Sequence, residues 1–245
     1  MRVLLIPWIV LAACEPGPNE ETLVESLQIV AAVAEPPEVA PFEPYTLTAT
    51  VVDPEQEGFE VLMWSCLDDC ESVRPDVDGT QALATVASVA PVPGWILACA
   101  PGVCDLDDPR ERDLKDPFGW LQTLPIEGVS LVSRLPRLTE DTGERHVNPV
   151  IEEVPSEDKL QDVRSESSVR LNFSVPGAET AWTYTTLGGF RRPSEDIASD
   201  GAVTVEWFAP KKPDTADLFV VFVDALGGAV VWEGSATMKG AESAR

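Results

Sequence analysis

Apolar and polar residues alternate along several short segments of the chain. In Tyr45–Val52, three apolar side chains alternate with three threonines, and residues 168–175, 182–185 and 203–207 show the same two-residue period. This period places successive side chains on opposite faces of a β-strand. Glycine and proline separate the runs, and no long segment has the helical period. The pattern predicts an all-β protein built from antiparallel sandwiches.

The last predicted strands depart from simple alternation. Residues 217–224 and 229–238 are joined near Gly227-Gly228 and predict a hairpin. Within the first of them, residues 218–223 are apolar on both faces, whereas a sandwich strand needs only one buried face. The interpretation we favour is a central strand covered by loops or by another domain. The alternative is an apolar patch that receives a partner. Its candidate interface residues are Leu218, Val220 and Phe222.

The N-terminus carries an export signal. Arg2 precedes the apolar run of residues 3–11, which is too short to span a membrane as a mature helix. The following Leu11-Ala12-Ala13-Cys14 resembles the lipobox of bacterial lipoproteins. That resemblance implies an acylated Cys14 as the first mature residue and lipid as the membrane attachment. The same resemblance implies that Glu15, in the position after the cysteine, favours the outer over the inner membrane. The alternative is an ordinary signal peptide with an incidental cysteine.

The first half of the mature chain has a second resemblance. A P-P-E-V-A-P turn, a threonine-alternating strand, a D-P turn and a third strand with Trp64 follow one another in residues 27–66. These features resemble bacterial Ig-like β-sandwich domains, which recur in surface lipoproteins. The resemblance implies an Ig-like first domain, after a signal peptide and a short tether. The spacing of the strands in residues 149–238 predicts a second Ig-like or fibronectin-III-like domain in tandem with it. The expected segments are a signal peptide (1–13), the acylated cysteine with an acidic Pro-rich tether (14–26), an Ig-like domain with an irregular cysteine-containing insertion (27–138), a linker (139–148), a second Ig-like domain (149–238) and a tail (239–245).

Charge limits the partners. The 245 residues include 42 Asp and Glu against 17 Lys and Arg, a formal net charge of −25. No basic cluster could neutralise a run of phosphates, which excludes nucleic acid as a partner. Between Glu15 and Val73 there are 14 acidic residues and no Lys or Arg. Anionic headgroups repel such a segment. We therefore expect the first domain to stand off the membrane and present the second.

Export also bears on the cysteines. Besides Cys14, the chain has Cys66, Cys70, Cys99 and Cys104, an even number for an oxidising compartment. Three pairings can be drawn, and the short spacings favour two local bridges over bridges between the segments. A zinc site of four thiolates is a further alternative, although its usual spacing is C-x2-C.

Candidate chemistry is sparse. The chain contains no G-x-S-x-G, H-E-x-x-H, P-loop or G-x-G-x-x-G motif, and residues 156–159 match S-x-x-K without its companion motifs. The one histidine, His146, lies in the predicted linker, where we expect it to be solvated. We expect no catalytic residue, no enzymatic activity and no cofactor beyond the lipid. Two acidic loops have carboxylates two residues apart, which suits Ca²⁺, but neither completes an EF-hand. The weak calcium candidates are Asp76, Asp78, Asp105 and Asp107.

Two functions remain. The first is a non-catalytic, lipid-anchored envelope protein that serves as a scaffold or interaction module for another envelope protein. The second is a surface lipoprotein that binds a glycan or another small ligand. Its candidate aromatic residues are Trp95 and Trp120, both expected outside regular strands.

Overall fold

The computed structural model describes residues 19–40, 43–66, 70–73, 75–86, 94–104, 124, 127–134, 136–139, 145–212 and 214–239. For residues 65, 66, 70–73 and 86 it describes the backbone alone. The protein is all-β, and two single-turn 3-10 helices (Glu20–Thr22 and Glu157–Lys159) accompany its strands. None of the described residues forms a helix of the length and apolarity needed to cross a membrane.

Residues 28–138 form a first sandwich of two antiparallel sheets. Its strands are β1 (Gln28–Glu35), β2 (Glu38–Val39), β3 (Tyr45–Val52), β4 (Glu60–Cys66), β5 (Cys70–Val73), β6 (Asp76–Asp78), β7 (Gln81–Val86), β8 (Gly94–Cys99), β9 (Val129–Arg134) and β10 (Arg137–Leu138). One sheet has the order β1-β3-β7-β6 and the other β5-β4-β8-β9, and β2 pairs in parallel with β10. These are the ABED and C′CFG sheets of an immunoglobulin-like fold.

Residues 153–239 form a second sandwich. Its strands are β11 (Val163–Arg164), β12 (Ser168–Ser174), β13 (Thr180–Thr185), β14 (Gly189–Phe190), β15 (Ser194–Asp196), β16 (Ala202–Phe208), β17 (Thr215–Val223) and β18 (Ala229–Lys239). The order β11-β18-β17-β13-β15 faces a sheet of order β12-β16-β14. The long β17–β18 pair confirms the hairpin expected at residues 217–238.

Each sandwich is held by side chains from the inner faces of its two sheets. Leu47, Ala49 and Val51 of β3 are fully buried in the first core, as their alternation predicts. In the second core, Leu171 and Phe173 of β12 are buried in the corresponding way. Burial of such side chains contributes roughly 1.5–3 kcal/mol each, and this contribution fixes the strand faces.

The cysteine-containing stretch is more regular than expected. Instead of an irregular insertion, the described residues 70–73, 76–78, 81–86 and 94–99 supply β5 to β8. The outer face of β4 and β8 is also covered, because Leu62, Trp64 and Leu97 pack with Cys99 and Cys104 in a separate small core. The start of the β8–β9 connection therefore adds a partial third layer to the first sandwich.

Part of the acidic N-terminal segment that we expected to be a free tether is bound to the second sandwich. From Asn19 onward the chain is docked on the second sandwich: the Asn19 N–H donates to Phe190 O at 2.8 Å, and the Val24 N–H donates to Thr185 O at 2.8 Å. Thr22 is fully buried, and its hydroxyl accepts from the Phe190 N–H. The expectation of a free tether through residue 26 is thus wrong for residues 19–24, because this backbone finds hydrogen-bond partners on β13 and β14.

Strand β17 is covered on both faces. Leu218, Val220 and Phe222 are fully buried in the second core, so the hypothesis that they form an exposed interface is wrong. On the opposite face, Phe219 is 2% exposed. It packs against the first sandwich and the N-terminal segment, as described below.

Candidate interaction surface

A polar network joins the two sandwiches at His146. Its backbone N–H donates to Glu38 Oε2 at 2.8 Å, and its ring Nε2 lies 2.8 Å from Asp224 Oδ2. The Asp224 side chain is 6% exposed, and its other carboxylate oxygen accepts from the N–H groups of Leu226 and Gly228. His146 is therefore a bridge between β2 and the β17–β18 turn. The expectation of a solvated histidine is wrong, because the backbone N–H and the ring of His146 both bind carboxylates, one from each sandwich.

Asn148 makes a second bridge two residues later. Its Nδ2 donates to Ala34 O at 2.9 Å and to the Glu35 carboxylate, and its Oδ1 accepts from the Ala229 N–H at 2.9 Å. The bridge needs a glycine in the turn. A Cβ at Gly228 would lie 2.9 Å from His146 Nε2 and 3.2 Å from Asn148 Oδ1.

Two arginines complete the junction. Arg145 makes a two-pronged ion pair with Glu43, and this charged hydrogen bond is the main reason that the pKa of Glu43 is lowered. Arg134 of β9 faces Asp224 across the junction. Burial lowers the pKa of its guanidinium, and the negative charge of Asp224 opposes that shift. The linker is thus fixed at residues 145–148 to groups from both sandwiches.

An apolar cluster lies beside this network. Phe219 of β17 packs with Val24, Val30 and Val52, and Tyr184 of β13 packs against the group. Val30 and Val52 come from the outer face of the β1–β3 pair, so the two sandwiches share buried apolar surface. Burial is the main cause of the raised pKa of the Tyr184 phenol.

A groove of about 480 Å³ opens at the junction. Strands β1, β3 and β18 and the linker form its walls. Val147 and Val150 line it and are 65% and 68% exposed. Along the same edge, a second groove of about 350 Å³ lies between β18 and residues 154–161. Val154 lines that groove and is 57% exposed. Together these exposed side chains form an apolar strip, Val147–Val150–Val154.

The predicted ligand aromatics do not form a site in the described part of the chain. Trp95 lies within β8, not outside regular strands as expected, and stacks on Trp64 with ring centroids 6.4 Å apart. It is half-buried at the margin of the small core of the first sandwich. Trp120 lies outside the described residues.

Of the calcium candidates, only the first pair lies among the described residues. Asp76 and Asp78 are exposed residues of β6, and Asp105 and Asp107 lie outside the described residues. No group of three His, Cys, Asp or Glu side chains arranged for a metal occurs among the residues that the structure describes.

One cysteine bridge is present. Cys99 and Cys104 form a disulfide with a Cα–Cα distance of 5.9 Å, which confirms one of the two expected local bridges. The backbone register places Cys66 directly opposite Cys70 in the β4–β5 pair, but their side chains are outside the described set. The second local bridge stays a prediction, as does acylation of Cys14, which is not among the described residues.

Sequence reasoning missed the junction. The residues Arg145 to Asn148 are mostly polar and lack periodicity, so nothing in their pattern distinguishes a bridging segment from a solvated linker. The one feature of the sequence that pointed to the junction is the turn from Asp224 to Gly228. An aspartate at the start of a tight turn accepts backbone N–H groups with one carboxylate oxygen and keeps the other oxygen free for a partner elsewhere.

Comparisons with solved structures give matches at low similarity. The D0-D1 domain of intimin is 14% identical (TM-score 0.29), with 86% of this chain and 99% of that one covered. A protein of Corynebacterium diphtheriae described as membrane-anchored is 14% identical (TM-score 0.29), with 89% and 59% covered. A 1.5-MDa bacterial ice-binding adhesin is 12% identical (TM-score 0.28), with 87% and 64% covered. This chain thus spans less than two thirds of the latter two structures.

No protein-family model matches the chain, and no curated protein is similar to it by sequence. Identities and TM-scores this low establish no shared function. The immunoglobulin-like fold rests on the strand order described above.

Proposed function

We propose that this protein is a non-catalytic, lipid-anchored protein of the bacterial envelope and that it serves as an interaction module for another envelope protein. The observation that carries the proposal is the junction: His146 and Asn148 bind groups from both sandwiches, so the pair presents one fixed surface. That surface includes an open groove with exposed valines. Fixed relative geometry lowers the entropy cost of binding a partner across two domains.

The surroundings of His146 support a structural role for this side chain. Its ring bonds to Asp224 and its backbone N–H donates to Glu38, so it links the two sandwiches.

The proposed anchor also sets the orientation of the molecule. Asn19, which is docked on Phe190, follows Cys14 by five positions in the sequence. A fully extended chain spans about 3.5 Å per residue, so Asn19 stays within about 18 Å of an acylated Cys14. An acylated Cys14 would therefore hold the second sandwich near the membrane, because residues 19–24 bind β13 and β14. This proposed orientation differs from the one expected from charge alone.

The test is crosslinked affinity purification of the tagged, full-length protein from its own membranes. Cys14→Ser serves as the matched unlipidated control. We expect a stoichiometric envelope protein to copurify with the wild type, and Cys14→Ser to move the chain out of the membrane fraction. Recovery of no envelope protein at any crosslinker length would contradict the interaction role. Membrane retention of Cys14→Ser would contradict the anchor.

A further inference from the structure

Among the described strands, none pairs with the outer edge of β18 before Met238. Its other edge pairs with β17 along the whole strand, and the bonds Asp224 N–H to Gly228 O and Met238 N–H to Asp214 O set the register. In an antiparallel pair, successive residues direct their backbone groups alternately toward and away from the partner. The N–H and C=O groups of Val231, Glu233 and Ser235 therefore point away from β17. Among the described residues, no hydrogen bond is made to these three N–H groups.

The unpaired stretch is closed at both ends. At one end the Asn148 side chain caps the Ala229 N–H at 2.9 Å. At the other, the Thr237 N–H donates to Leu160 O at 2.9 Å, and β11 pairs in parallel with Met238. Residues 231–235, between these two ends, form a slot of five residues, which is the length of an ordinary strand.

Space for a strand lies along this slot. The larger groove borders β18 at residues 229–231, and the smaller one borders it at residues 232–235. The apolar strip Val147–Val150–Val154 follows the same edge and is left exposed to water. Trp232 faces the smaller groove, where a side chain from an added strand would meet it. Alternate side chains of an added strand would face Val33 and Thr48 of the first sandwich.

Charge selects the occupant. The two grooves are lined by Glu35, Glu157 and Glu233, and no Lys or Arg occurs among their described lining residues. If a second copy of this chain paired through the same edge, its carboxylates would face those of the first copy. It would also add another net charge of −25. A segment with basic residues at its ends meets opposite charges instead.

We infer that the β18 edge is a β-augmentation site. It binds an extended segment of a partner protein that has alternating apolar side chains and Lys or Arg at its ends. Backbone hydrogen bonds to Val231, Glu233 and Ser235 supply the pairing, and the two grooves select the side chains. The inference rests on the proposed interaction role but does not need the lipid anchor.

The probe is the synthetic peptide Lys-Val-Thr-Val-Thr-Val-Lys, followed by amide NMR and hydrogen exchange on the full chain. In the free protein, the amides of 230, 232, 234 and 236 exchange slowly and those of Val231, Glu233 and Ser235 exchange fast. Peptide at about 2 mM slows the fast set, because a strand pair of this size binds in the millimolar range. Absence of any effect on β18 amides at that concentration overturns the inference.

Two variants separate edge pairing from general affinity. Ser235→Pro removes the outward N–H, which a β-edge tolerates, and Ser235→Ala removes the same hydroxyl but keeps the N–H. We expect the proline variant to lose binding and the alanine variant to retain it. Equal binding by both variants overturns the inference. Replacing the terminal lysines of the peptide by glutamate should weaken binding about threefold to tenfold.

The same variants distinguish failure of the edge from failure of the proposed function. If Ser235→Pro and Ser235→Ala capture a membrane partner equally well, the interaction role stands and the β18 edge is not the binding site. If neither the wild type nor either variant captures a partner, the interaction role is contradicted. Binding of the peptide still tests whether the β18 edge pairs with an added strand. A dimer that Ser235→Pro dissociates would replace the partner segment with a second copy of this chain.

Discussion

Replacing Phe219 with alanine tests whether the two sandwiches form one rigid body. Phe219 is 2% exposed, and three of the side chains packed around it, Val24, Val30 and Val52, come from outside the second sandwich. Phe222 lies three residues along the same strand on the opposite face and is fully buried in the second core. Phe222→Ala is therefore a matched control, because it removes the same atoms but spares the junction.

The structure sets the size of the effect. Phenylalanine to alanine in a protein core costs about 3–5 kcal/mol of unfolding free energy. The junction cluster has only four buried members and lies beside an open groove, so its walls can close around the lost ring. We expect Phe219→Ala to cost about 2–3 kcal/mol, below that range, and Phe222→Ala about 3–5 kcal/mol. At this chain length, the first loss lowers Tm by about 4–12 °C.

Inter-sandwich distance is the decisive measurement. Spin labels replace the exposed Val77 and Asp200, one on each sandwich, and the distance distribution is measured well below the unfolding transition. We expect a narrow distribution for the wild type and Phe222→Ala and a broad one for Phe219→Ala. A narrow distribution in Phe219→Ala, with less than about 1 kcal/mol of lost stability in urea unfolding, would refute the reasoning.

Three further predictions concern single groups. Asn148→Ala removes three hydrogen bonds and should cost about 1–3 kcal/mol in urea unfolding, whereas Asn172→Ala, which removes one exposed bond to a hydroxyl, should cost less than about 0.5 kcal/mol. Burial raises the pKa of Asp217, so its contribution to stability is lost as the pH rises through that raised pKa. Asp217→Asn should therefore raise Tm by about 1–2 °C at pH 7 and not at pH 3, and an equal shift at both would contradict the burial argument. Replacing Cys99 and Cys104 together by alanine should cost about 2 kcal/mol, as loop-closure entropy predicts for so short a loop; no change in the urea midpoint would show that the bridge does not stabilise the fold.

The strand faces could be predicted where one side of a sheet is buried. Val203, Val205 and Trp207 alternate with polar residues in the sequence, and all three are buried in the second core. Strand β13 behaves differently. Its threonines Thr183 and Thr185 are buried with their hydroxyls donating to backbone carbonyls, and Trp182 is 43% exposed. Alternation therefore identifies the two faces of a strand but not which face is inside, since a bonded threonine can occupy a core position.

The junction could not be predicted because it depends on groups far apart in the sequence. His146 meets Glu38, which is 108 residues away, and Asp224, which is 78 residues away. None of the three belongs to a periodic segment that would fix its direction. The same applies to Asn19 and Phe190, whose hydrogen bond converts part of an acidic, proline-rich tether into a docked segment.

Apolar residues on both faces of a strand imply a third layer in a sandwich, because one face of each sheet would otherwise be left to water. The chain meets this requirement twice. The first sandwich and the N-terminal segment cover Phe219 on the outer face of β17, and the β8–β9 connection covers Trp64 on the outer face of β4. The apolar strip Val147–Val150–Val154 has no such cover among the described residues, and it follows the one stretch of β18 with unpaired backbone groups. The added strand proposed for this edge would cover the apolar strip and pair the backbone groups of β18 together.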